Sequence, residues 1–197
     1  MPIKFSSAVL ITLLISIISC KDAPKDDIAY LQTLNDSIKK VFAPDKRVAI
    51  YNITLSAEED QIKITGETDQ LKSVTTLIDL FKSKGITVEN LVNILPDSSV
   101  GQWKHAIVNN SVANIRSAAK HSGELATQAI LGTPLKVLKI DGDFYLVQTP
   151  DGYISWVDHG GVTLLTQEQF SSWEKAPKVI FTKLSILEIC ILYPLGV

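Results

Sequence analysis

Three turn signals at close spacing constrain this chain most. Gly132-Thr133-Pro134, Asp141-Gly142-Asp143 and Pro150-Asp151-Gly152 each set glycine, proline or aspartate where a backbone reverses easily. They cut the stretch 125–158 into apolar-rich segments of about six residues, the usual length of strands. Strands are therefore expected at 125–130, 135–140, 144–149 and 153–158. Another is expected at 111–116, before a polar loop over 117–124. Short strands joined by such turns form a small barrel.

The first half carries a different pattern. Ile28, Leu31, Leu34, Ile38, Val41 and Phe42 recur at three- and four-residue spacing, which predicts an amphipathic helix ending before Pro44. A β-branched and aromatic run predicts a strand over 48–55. After a polar turn at 57–60, alternation predicts a second strand over 61–66. Leu71, Val74, Leu77, Ile78 and Phe81 mark a second helix, stopped by Lys84-Gly85. A third strand is expected over 86–94, and Pro96-Asp97 closes the unit. The order α-β-β-α-β packs both helices on one face of a three-stranded sheet. The expected fold class is α+β, a small α-β-β-α-β domain followed by a small all-β barrel.

The N-terminus reads as an address. Lys4 precedes an apolar run over 9–18, too short to span a bilayer and suited to a signal peptide. A membrane anchor is the alternative reading. Ile17-Ile18-Ser19-Cys20 resembles a bacterial lipobox, which implies cleavage before Cys20 and lipidation of its thiol. Several acyl chains together anchor stably where one is marginal. Residues 20–27 then read as a polar tether, and the mature chain loses Lys4 from its 19 basic residues, leaving 18 against 21 acidic ones. Lys25-Asp26-Asp27 resembles acidic export signals of surface lipoproteins, so periplasmic and surface-facing placements both stay open. The expected location is the bacterial cell envelope.

Longer patterns carry two family resemblances. Ile62 to Thr68, with Gly66 before a helix, resembles the BON-type domains of bacterial envelope proteins; alternatively Gly66 only opens the turn into that helix. Val112-Ala113-Asn114-Ile115-Arg116-Ser117, Gly132 to Leu138, Phe144 to Val147 and Gly152-Tyr153-Ile154-Ser155-Trp156-Val157 together resemble a bacterial SH3-like (SH3b) domain. With the flanking Gly101-Gln102-Trp103 and Phe170-Ser171-Ser172-Trp173, residues 28–183 are similar to the N-terminal region of NlpC-type cell-wall cysteine peptidases. Domains are thus expected at 1–19 (signal peptide), 20–27 (tether), 28–97 (BON-like) and 98–183 (SH3b with flanks). The apolar tail 184–197 is expected to be a frameshift product or premature end, or else a short core element.

Catalysis of that family's kind needs a nucleophilic cysteine with a histidine to take its proton. The chain has two cysteines, Cys20 and Cys190, and three histidines, all of which precede Cys190. The expectation is a non-enzymatic protein with no catalytic residues, no cofactor and no metal site. His105, His121 and His159 are expected in exposed loops. A formal charge of −2 argues against a nucleic-acid partner. The resemblance implies binding of peptidoglycan stem peptides, with an acidic residue and a tyrosine holding the free amine. The residues that match are Glu124 and Tyr153, with Tyr145 and Trp156 as further candidates for an aromatic groove and Phe144 beside them. Core packing is the other reading for Trp156 and Phe144, a solvated charge for Glu124, and pairing with Asp158 the expected role of Arg116. Two other functions stay in view: the truncated front half of a γ-D-glutamyl-diamino acid endopeptidase, and an envelope assembly adaptor acting through the BON-like domain.

Overall fold

The computed structural model describes residues 25–58 and 61–179. The expectations for the signal peptide, Cys20, Cys190 and the apolar tail lie outside these residues. The first unit runs α1 (Lys25–Phe42), β1 (Tyr51–Glu58), β2 (Gln61–Thr68), α2 (Leu71–Ser83) and β3 (Val88–Ile94). Helix α1 thus opens inside the stretch expected as tether. The order α-β-β-α-β is as expected, but β1 starts three residues later than the apolar run does. It also takes in Ala57 and Glu58, expected in the turn.

Strand β2 is central, antiparallel to β1 and parallel to β3. Leu31 from α1, Val74, Leu77 and Phe81 from α2, and Tyr51, Ile53 and Ile64 from the sheet fill one core. Inside it Asn35 is 1% exposed. Its amide donates to Ile53 O at 3.1 Å and accepts from the Tyr51 hydroxyl at 2.7 Å. Both polar side chains are satisfied, so their burial is tolerated. Burial itself pushes the Tyr51 phenol up from its ordinary pKa.

Gly66 does not open a turn. It lies within β2 opposite Ile53, at φ +115°, where an added Cβ would sit 1.8 Å from Asn52 O. Only glycine lets the two backbones approach this closely.

The second unit has more strands than the sequence pattern gives. It runs β4 (His105–Val108), β5 (Val112–Arg116), β6 (Leu125–Ile130), β7 (Pro134–Asp141), β8 (Phe144–Gln148), β9 (Ile154–Asp158) and β10 (Val162–Leu165), with α3 (Gln167–Lys175) last. The order across the sheet is β10-β4-β7-β8-β9-β5-β6, antiparallel throughout. All seven strands send side chains into one cluster, from Ala106 and Val108 through Ile115, Ala129, Val137, Val147 and Val157 to Val162. A sheet whose every strand faces one interior is curled on itself, as an SH3-like unit requires.

Strands β4 and β10 are short and pair with each other. Neither carries enough alternation to show in the sequence. Helix α3 is closed by a capping box between Thr166 and Gln169. It meets the barrel through Phe170, whose ring stacks on His105 at 4.0 Å, and Gln167, 2.8 Å from His105 Nε2. His105 therefore sits half-buried in a strand, not in a loop; His121 and His159 are exposed.

A third apolar cluster joins the two units. Leu138, Leu146 and Ile154 of the barrel pack with Leu95 of the first unit, and Ile50 and Trp156 lie against them. The cluster forms because these side chains point out of the barrel, on the face opposite its own interior.

Candidate functional site

The register of β8, β9 and β5 decides which side chains share a face. Phe144 pairs with Asp158, Leu146 with Trp156 and Gln148 with Ile154; Trp156 also pairs with Arg116. Directly opposed residues point the same way. Phe144, Leu146, Ile154, Trp156, Asp158 and Arg116 therefore share the outer face. Tyr145 pairs with Val157 and packs against the barrel interior. The structure thus separates Tyr145 from Trp156, and only Trp156 belongs to the outer face.

One end of this face meets the first unit. The Ile154 N–H donates to Arg47 O at 2.7 Å, and the Val48 side chain lies 3.6 Å from where a Cβ on Gly152 would stand. The Arg47 guanidinium lies over the Tyr153 ring, 5.7 Å from its centroid. Asp45 grips that guanidinium with contacts of 2.7 to 3.1 Å at Nε and Nη2. The hydrogen bonds from Arg47 hold the Asp45 carboxyl down to about 2 and raise the guanidinium's own pKa. An ion pair does cross the seam, Lys139 to Glu67 at 2.8 Å, and this hydrogen bond raises the Lys139 pKa.

The other end is open. Its rim is the loop 117–124, which carries Glu124. Arg116 holds that loop by donating from Nη1 to Gly123 O at 2.9 Å, and Ser117 N–H donates to Glu124 O at 2.8 Å. The expected Arg116–Asp158 pair is not made, because the loop carbonyl takes the guanidinium. Asp158 instead faces His121, with Nε2 to Oδ2 at 3.5 Å, and its other oxygen accepts from Gly160 N–H. His121 also meets the Phe144 ring edge-on at 5.2 Å. Glu124 itself is exposed and Phe144 is buried.

The expected site residues therefore divide. Tyr153 and Trp156 stand at or beside the seam, Glu124 stands on the loop at the open end, and Tyr145 leaves the group. Arg47, Asp45, Ile50 and Leu95 join it from the first unit. Sequence reasoning missed these four because nothing local marks a loop or strand-end residue that meets an element of the other unit. From Ile154 to Asp158 the strand climbs about 14 Å at roughly 3.4 Å per residue. Leu146 and Ile154 are buried in the seam, so what this face leaves to a ligand is the half-exposed strip of Tyr153, Trp156 and Asp158, with carboxylates at one end and the Arg47 guanidinium at the other. Among the described residues no group of three histidine, cysteine, aspartate or glutamate side chains is placed to hold a metal ion.

The comparison with known families falls on this half. Residues 115–161 match the family model described as the bacterial dipeptidyl-peptidase Sh3 domain. No curated protein matches the chain. The matched segment runs from β5 to the turn after β9, and the structure adds β4 and β10 on its flank. A bacterial SH3 domain of this type is found in the β-rich half of the chain, joined by an apolar seam to the α-β-β-α-β unit.

Proposed function

We propose that this chain is a lipid-anchored protein of the bacterial cell envelope that binds peptidoglycan stem peptides and catalyses no reaction by itself. The observation that carries the reading is the SH3 match at 115–161, a module consistent with association with the cell wall. The binding surface is the half-exposed strip of β9 beside the seam, from Tyr153 past Trp156 to Asp158 and the loop 117–124. Glu124, with Asp158 beside the rim, meets the free amine of the peptide, since a carboxylate facing an ammonium gives a charge-assisted hydrogen bond. Trp156 and Tyr153 pack along its length. Cys20 carries the lipid, and the α-β-β-α-β unit is the BON-like module that stands between lipid and SH3 unit.

Retention on purified sacculi tests the reading. The full chain should sediment with them and be released by soluble stem peptide. Glu124→Gln should weaken retention about tenfold, the loss of one charged hydrogen bond. A chain that stays in the supernatant contradicts peptide binding.

A second reading has one specific observation behind it, the peptidase association in the name of the matched family. In that reading the chain is the front part of a γ-D-glutamyl-diamino acid endopeptidase. Hydrolysis of such peptides by the purified chain would overturn the non-catalytic reading.

A further inference from the structure

We infer that Arg47 and Tyr153 together form a subsite for a peptide carboxylate, shared between the two units. The inference rests on the peptide-binding reading and adds to it the opposite end of the ligand. Three features make Arg47 a built receptor instead of a loose surface cation. Its backbone is pinned to the SH3 unit by the 2.7 Å bond from Ile154 N–H. Its side chain is fixed by Asp45 through Nε and Nη2, which leaves the two N–H groups of Nη1 outside that grip. Its side chain is 63% exposed, and its guanidinium lies over the ring of Tyr153, which brings a phenolic O–H donor to the same place.

Arginine suits this role because its planar fork can hold one carboxylate and still present donors to a second. Stacking on an aromatic ring keeps the plane oriented without consuming those donors. Because the receptor is held before the ligand arrives, little ordering cost falls on binding. The seam has a consequence for specificity too. The carboxylate receptor belongs to the first unit, so an SH3 unit separated from it lacks this half of the site.

The test is calorimetric titration of the full chain with two probes. One is the stem tripeptide L-alanyl-γ-D-glutamyl-L-lysine with free carboxylates, the other its fully amidated form. Amidation should weaken binding about tenfold, the worth of one charge-assisted contact. In Arg47→Gln the two forms should bind alike, while Arg47→Lys, which keeps charge but loses the fork, should show an intermediate difference. Equal binding of both peptides by the unaltered chain overturns the subsite and leaves the peptide-binding reading standing. No binding of either peptide overturns both. The comparison of peptides uses the unaltered protein, so it holds even if Arg47→Gln loosens the seam.

Discussion

The carbonyl of Arg47 accepts the N–H of Ile154 at 2.7 Å, and through that bond a loop of the first unit meets the edge of strand β9 in the second. Around it, Leu95 from one side and Leu138, Leu146 and Ile154 from the other exclude water. The two units share a core, so they should behave as one.

Truncation within that shared core gives the first prediction. Leu138 is 1% exposed. Leu138→Ala should cost about 2 to 4 kcal/mol, the usual price of a cavity left by a buried leucine. Unfolding in denaturant, followed at once by far-ultraviolet circular dichroism and by Trp156 fluorescence in a Trp103→Phe, Trp173→Phe background, should give coincident curves. Two separate transitions would show that the seam does not couple the units.

The close backbone approach at Gly66 gives the second. Gly66→Ala places a methyl group 1.8 Å from Asn52 O at a backbone angle that side chains rarely adopt. The expected loss is about 3 kcal/mol or more, since strain and a ruptured strand pairing add. An unchanged melting temperature would mean that β1 and β2 can separate at no cost.

The buried polar pair of the first core gives the third. Tyr51→Phe removes the donor to Asn35 Oδ1 and leaves that oxygen buried without it. Such an orphaned acceptor costs about 1 to 3 kcal/mol. Tyr51→Phe with Asn35→Leu should recover part of the loss, which a double-mutant cycle reads directly.

Acid titration of the seam gives the fourth. The folded-state pKa of Asp45 lies at about 2, below the ordinary value of 3.8. A depressed carboxyl contributes stability above its ordinary value and loses that contribution as pH falls through the folded one. The Arg47–Asp45 grip should therefore persist at pH 4 and be half lost at about pH 2. The carboxyl carbon resonance of Asp45 should titrate in that window; a midpoint near 4 would show that the fork is not held in solution.

Much of this architecture was legible because local chemistry dictates it. The helix over Ile28 to Phe42 and the hairpin at Asp141-Gly142-Asp143 follow from periodicity and turn residues. Tyr153 and Trp156 were legible as aromatics at the end of the SH3 pattern. What they touch was not. Trp156 stands opposite Leu146 and packs against the seam cluster because strand register aims it outward, and register is set by non-local pairing. Tyr145 looked equivalent to Trp156, yet it faces inward by the same alternation. Strand β4 escaped notice because four residues, His105 to Val108, are too few for a period to show.

The peptide-binding claim is tested most directly by sedimenting the full chain with purified sacculi, with and without excess free stem tripeptide. The account predicts that the chain pellets with sacculi, and that the peptide releases it. A chain left in solution, or one that pellets equally whether or not the peptide is present, would contradict recognition of stem peptides by the SH3 face.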